Sequence, residues 1–113
     1  MENYKKICST SSLENCIGQK FILDDENEIA VFKIEQKFYV FDNICPHNHV
    51  PRIADGKIVN NYLICPVHGQ MFHIETGKQK NQQGGNIKIF EHKVIGDELF
   101  VKIPETKKFN FKY

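Results

Sequence analysis

Two short segments constrain this chain more than any periodicity in it. Cys45-Pro46-His47 and Cys65-Pro66-Val67-His68-Gly69 stand with seventeen residues between them. Each offers one thiolate and one imidazole, one or two residues apart. If both ligate, they must lie on loops that face each other, with a rigid scaffold behind. Mixed Cys/His pairs suit a site with two metal ions, thiolates from both loops on one and imidazoles from both on the other. A sulfide-bridged pair of irons needs four protein ligands, two per iron. A Cys at i with a His at i+2 or i+3 lets a tight turn straddle the two metals. Pro46 and Pro66 each follow a Cys, where a fixed φ stiffens the turn. Gly69 follows His68, where the chain bends beside the site without a Cβ in the way.

The same four residues could instead hold zinc in a tetrahedral structural site. Zinc modules pair like with like, as C-x₂₋₄-C and H-x₃₋₅-H, which these mixed pairs match poorly. On that reading the chain would be a zinc-stapled interaction module with no redox role. An all-Cys cluster recruiting Cys8 and Cys16 fits neither established ferredoxin spacing. Those two thiols read as inert structural residues, since small buried Cys behave as hydrophobes. His49, His73 and His92 read as loop or strand histidines rather than ligands.

The 113 residues suffice for one core, and residues 1–113 are read as a single domain. A formal net charge of +1 gives no bulk steering toward nucleic acid. No apolar stretch approaches a bilayer span, and the polar N-terminus does not read as a signal peptide. Four Cys in such a chain fit a reducing compartment and metal ligation better than a disulfide framework. The expected setting is cytoplasmic, away from membranes.

The local pattern is β almost throughout, and predicts an all-β fold. Residues 28–34 and 37–41 are rich in apolar and β-branched side chains, with Glu35-Gln36 as a two-residue hairpin turn. Ile58-Val59 and Tyr62-Leu63-Ile64 flank Asn60-Asn61, whose side chains tolerate φ > 0. Residues 87–90 and 99–103 alternate apolar and polar, the latter after a turn at Gly96-Asp97. Weaker strand signals cover residues 20–23 and 4–7, and residues 11–18 suit one short helical turn. Lys78 to Asn86 reads as an exposed loop. Many short strands with close turn signals indicate an antiparallel sandwich or a partly closed barrel.

From about Tyr4 to Ile103 the chain resembles the Rieske ferredoxin family. The likeness rests on Cys45-Pro46-His47, Asp55-Gly56, Ile64-Cys65-Pro66-Val67-His68-Gly69, Phe72, Thr76-Gly77 and the closing Leu99-Phe100-Val101. It implies an antiparallel β-sandwich with a small cluster-binding subdomain at about residues 43–75. It also implies a [2Fe-2S] cluster, one per chain, with Cys45 and Cys65 on the inner iron. His47 and His68 would hold the outer, solvent-facing iron, which accepts the electron.

Membrane-bound respiratory members of that family carry an additional Cys in each loop, and here the matching positions are Val50 and Val67. Those members also donate hydroxyl hydrogen bonds to cluster sulfurs from positions matched here by Gln70 and Phe72. Phe72 has no such donor, while Gln70 carries an amide, and the missing hydroxyls imply a potential low in the Rieske range, around −150 mV. The resemblance then implies a monomeric one-electron carrier, not itself an enzyme, between a flavin-dependent ferredoxin reductase and a terminal oxygenase. The small Rieske-type subunit of an assimilatory nitrite reductase is the alternative. Docking is expected at the cluster tip, around Asn48, His49, Val50, Pro51, Val67 and Gln70, mostly uncharged and with Arg52 nearby. A third loop, Gln82-Gln83-Gly84-Gly85, lacks the proline that many members have there. The tail from Lys107 to Tyr113 reads as a final edge strand or an ordered tail packing its aromatic rings on the sandwich, with a partner-docking segment as the alternative.

Overall fold

The apolar run Ile29-Ala30-Val31-Phe32 has no polar residue to turn toward water, and each of its side chains is fully buried. A strand covered on both faces reads as such a run rather than as an alternation. This strand is the centre of the molecule. In the computed structural model, which describes residues 3–46, 49–67, 69–81 and 85–104, nine strands form three antiparallel sheets. They are β1 (Tyr4–Ser9), β2 (Gln19–Asp24), β3 (Asn27–Ile34), β4 (Lys37–Asp42), β5 (Lys57–Val59), β6 (Tyr62–Ile64), β7 (Met71–His73), β8 (His92–Ile95) and β9 (Glu98–Lys102). The sheet orders are β1-β9-β8, β2-β3-β4 and β5-β6-β7.

Alternation along β3 divides the interior in two. Ile29 and Val31 join Leu23, Val40, Leu99 and Val101 in one core cluster. Ala30 and Phe32 join Phe41, Leu63, Phe72, Cys45 and Cys65 in the other. The β2-β3-β4 sheet therefore packs against β1-β9-β8 on one face and against the β5-β6-β7 region on the opposite face. This is the expected all-β sandwich, with the two cysteine loops on the second core.

The hairpin turns follow from local chemistry. Asn60 and Asn61 both adopt positive φ (51° and 70°) and join β5 to β6. Short polar side chains tolerate that conformation. Glu35 also has positive φ, and its N–H donates to Asn15 Oδ1 in the segment that precedes β2. Gly18 makes a different contribution. A Cβ there would run into the Ala54 carbonyl and lie 2.6 Å from the Phe32 ring. Its absence lets the 3₁₀ turn Ile53–Asp55 sit against β3.

Three sequence expectations need correction. Residues 87–90 do not form a continuous strand; they make one bridge, Phe41 with Ile89, flanked by Asp42 N–H to Lys88 O and Phe90 N–H to Val40 O, both 2.9 Å. The helical turn is confined to the 3₁₀ turn Thr10–Ser12, capped by the Ser9 hydroxyl. Cys16, expected inside, is exposed at φ 64°, whereas Cys8 packs half-buried against the first core. The aromatic tail and residues 82–84 of the third loop lie outside the described residues.

Candidate metal centre

Cys45 and Cys65 are both fully buried, in one core cluster with Phe32, Phe41, Ile53, Leu63 and Phe72. Neither is in a disulfide. Cys45 follows β4 by three residues, and Cys65 follows β6 directly.

The loops that carry them share one backbone frame. Cys45 N–H donates to Val50 O (2.9 Å), and His49 N–H donates back to Cys45 O (2.7 Å). In the second loop Cys65 N–H donates to Gln70 O (2.8 Å), and Gly69 N–H donates back to Cys65 O (3.0 Å). Both closures therefore run from the cysteine to its fifth successor and from its fourth successor back. The fourth successor is left-handed in each, His49 at φ 59° and Gly69 at φ 73°. His49 thus has a backbone task, and its side chain is exposed as the sequence suggests. Two buried hydrophobic cysteines would need no such matched frames. Two sulfur ligands converging from opposite loops would.

The first loop is pinned by a residue the sequence does not advertise. Asn43 is buried, and its carboxamide makes three bonds: Nδ2–H to Glu28 Oε2 (2.6 Å), Nδ2–H to Pro51 O (3.1 Å), and Oδ1 from Ala54 N–H (2.7 Å). Its backbone N–H donates to Glu28 O and its carbonyl accepts Ile53 N–H. β3, both ends of the first loop and the following turn thus meet on one side chain. Next to it, Asp42 Oδ1 accepts Ile44 N–H (3.0 Å). Burial pushes the Asp42 carboxyl above the usual range, with that hydrogen bond and Lys88 opposing.

The second loop is held from behind. A Cβ on Gly56 would lie 2.5 Å from Ile64 O, so only glycine lets this turn approach the strand leading into Cys65. Gln70 is half-buried, and its Oε1 accepts Gln79 Nε2–H at 2.6 Å. Gln79 is itself buried, the exception in a stretch expected to be an exposed loop and otherwise exposed among its described residues. Phe72 is fully buried and brings no hydroxyl. A Cβ on Gly85 would lie 3.8 Å from Pro46 Cβ, so the end of the third loop comes against the first.

The expected imidazole ligands His47 and His68 lie outside the described residues, and among the described residues no group of three His, Cys, Asp or Glu forms a metal site. The other histidines are occupied elsewhere. His73 lies in β7, its ring edge-on to Tyr62 and its Nδ1 accepting Glu75 N–H (3.2 Å). His92 lies half-buried in β8, and desolvation lowers its pKa.

Buried sulfur on twin loops fits an iron–sulfur group, and comparison with known proteins agrees. The chain belongs to the family of Rieske [2Fe-2S] domains, which it matches over residues 3–101. It is 28% identical over 99 residues to the ferredoxin component of the alkene monooxygenase system of Xanthobacter autotrophicus, covering 87% of this chain and 80% of that one. Two solved structures share the fold. The ferredoxin of carbazole 1,9a-dioxygenase from Nocardioides aromaticivorans superposes with a TM-score of 0.82 at 19% identity, covering 91% of this chain and all of that one (100%). A Mycobacterium tuberculosis protein described as an NADH-dependent nitrite reductase small subunit gives 0.83 at 16% identity, covering 91% and 96%. The chain is accordingly a Rieske-type ferredoxin, an electron carrier with a [2Fe-2S] cluster as its resident cofactor. This sets the zinc reading aside.

Proposed function

We propose that Cys45 and Cys65 bind the inner iron and His47 and His68 the outer one, within a subdomain of about residues 43–75. The chain then passes single electrons from a flavin-dependent reductase to a terminal oxygenase, as a monomer in the cytoplasm. The observation that carries this reading is the matched frame of the two cysteine loops. The alkene monooxygenase relative supports the oxygenase partner, and four cysteines without a disulfide suit a reducing compartment. The cluster supplies the redox change. The protein's own residues bury its sulfur side, hold the loops and present a docking tip.

That tip is close to uncharged. Pro51, Pro66, Val67 and Gly69 are exposed there, and the Arg52 guanidinium is paired with Asp55 at 2.7 Å. An interface of this kind depends only moderately on ionic strength. Reduction by the partner flavoprotein that slowed many-fold between low and physiological salt would contradict it.

The deciding experiment is anaerobic purification with iron and sulfide analysis and EPR of the reduced protein. Two irons, two sulfides and nitrogen couplings on the signal are expected. His47→Cys or His68→Cys should alter the spectrum. A protein prepared without oxygen that held neither iron nor labile sulfide would overturn the assignment. Sirohaem reductase activity in a complex containing this chain would favour the nitrite reductase alternative instead.

A further inference from the structure

Two polar side chains are buried among the described residues, Asn43 and Gln79. Asn43 is explained by the first loop. Gln79 has no such role there, yet a buried amide is tolerated only where its hydrogen bonds are made. An apolar side chain would fill the same place without that requirement.

Gln79 is fixed by its backbone. Its N–H donates to Asn86 Oδ1 (3.1 Å), it bridges Phe72, and the next N–H, of Lys80, donates to Met71 O (2.8 Å). From that base its side chain reaches the second loop and donates to Gln70 Oε1. Gln70 stands across the loop from Cys65, whose N–H its carbonyl accepts. Its counterpart in the first loop, Val50, packs on the core cluster that contains both cysteines. At the equivalent place Gln70 carries a carboxamide. With its oxygen already accepting, the other edge of that amide presents an NH₂ donor.

We propose that Gln79 is a positioning residue: by holding the Gln70 oxygen, it turns the Gln70 NH₂ toward the sulfur side of the centre. A donor there stabilises the more negative, reduced state and raises the midpoint potential. Phe72 offers no donor. The second loop's contribution to the potential therefore rests on this amide pair. The proposal depends on the cluster reading above.

The test uses cluster-loaded protein carrying Gln70→Met, Gln79→Met or both, substitutions that keep length and remove hydrogen bonding. The readouts are the midpoint from a redox titration and the EPR of the reduced state. Gln70→Met should lower the equilibrium constant for reduction about tenfold, which is about 59 mV for one electron. Gln79→Met should lower it by no more than that, and the double variant should lie no lower than Gln70→Met alone. An unmoved or raised midpoint in Gln70→Met overturns the proposal. So does a Gln79→Met shift that persists in full when Gln70 is already methionine. If Gln79→Met does not fold, Gln79→Glu replaces donor by acceptor and turns the amide around. Its shift should then shrink in the Gln70→Met background, and equal shifts in both backgrounds overturn the idea. A wild-type chain without iron would instead overturn the cluster reading, and this proposal with it. Iron-loaded variants with unmoved midpoints overturn this proposal alone.

Discussion

Removing the Asn43 carboxamide should unfasten the first cysteine loop. In Asn43→Ala the buried Ala54 N–H loses its acceptor at 2.7 Å, and Glu28 Oε2 loses a donor at 2.6 Å. An orphaned buried donor costs about 1–3 kcal/mol and a hydrogen bond to a charged group about 1.5–3 kcal/mol, so the sum is about 2.5–6 kcal/mol. Set against a total of about 5–15 kcal/mol for an ordinary domain, that is a large fraction. It corresponds to a fall in Tm of about 10 °C or more. Iron retention should fall in parallel, because residues 43–55 carry Cys45 and its closing bonds.

A second variant separates lost hydrogen bonding from lost volume. Asn43→Asp keeps an acceptor for Ala54 N–H but sets a carboxylate against Glu28, where the amide now stands at 2.6 Å. Two carboxylates at that separation must share a proton, so the pair titrates with one pKa raised in the folded state. Folded protein then binds more protons than unfolded protein above the ordinary carboxylate pKa. Stability is depressed at neutral pH and recovers as pH falls through the raised value. The assay is thermal unfolding of the loaded protein by circular dichroism, with iron loss followed by visible absorbance, from neutral pH down to the onset of acid unfolding. Were Asn43→Ala within about 1 kcal/mol of wild type, or Asn43→Asp insensitive to pH, the reasoning would fail.

Other perturbations have equally definite outcomes. Gly18→Ala drives a Cβ into the Ala54 carbonyl and the Phe32 ring, and overpacking of this kind should cost about 1–3 kcal/mol by urea unfolding; a neutral result would mean the 53–55 turn moves freely on β3. His49→Gly relieves a left-handed residue at φ 59°, so stability should hold or rise by about 1 kcal/mol while the EPR spectrum stays unchanged. An altered spectrum would make His49 a ligand. His92 has a pKa lowered from 6.5 by burial, so folded protein binds fewer protons than unfolded. Its contribution is complete above pH 6.5 and is lost as pH falls toward the folded value. The stability difference between wild type and His92→Gln should therefore change in that direction across this range, and a flat difference would contradict it.

Much of the scaffold could be anticipated, because the signals are local. Asn60-Asn61 announces a positive-φ turn in its residue types, and both residues adopt it. Residues 28–34 and 37–41 pair as their apolar, β-branched content and the turn between them suggest. The four-residue run Ile29 to Phe32 reflects a strand covered on both faces. The failures are as instructive. β7 is three residues long, Met71–His73, below the length at which alternation can be seen. Residues 87–90 alternate like a strand, but the chain touches β4 through one bridge before β8 begins at His92. Cys16 was expected to be buried by residue type alone, but a left-handed turn places it outside.

The centre divides along the same line. Metal chemistry demands particular residue types at a particular spacing, so the cysteine loops are visible from the chain alone. Their supports have no such signature. Asn43 matters because of Glu28, fifteen residues earlier on another strand, and because of the turn at Ala54. Gln79 matters because of Gln70, across β7. In the sequence each is one polar residue in a polar stretch, and its role exists only once folding has buried it. A buried, hydrogen-bonded amide beside each loop restricts rotation where a thiolate must be held, and a bonded network of this kind is worth more than its parts taken singly. Chains that share the Cys-Pro-His and Cys-Pro-Val-His-Gly segments but differ at positions 43, 70 and 79 should therefore keep the ligand types and differ in loop rigidity and potential.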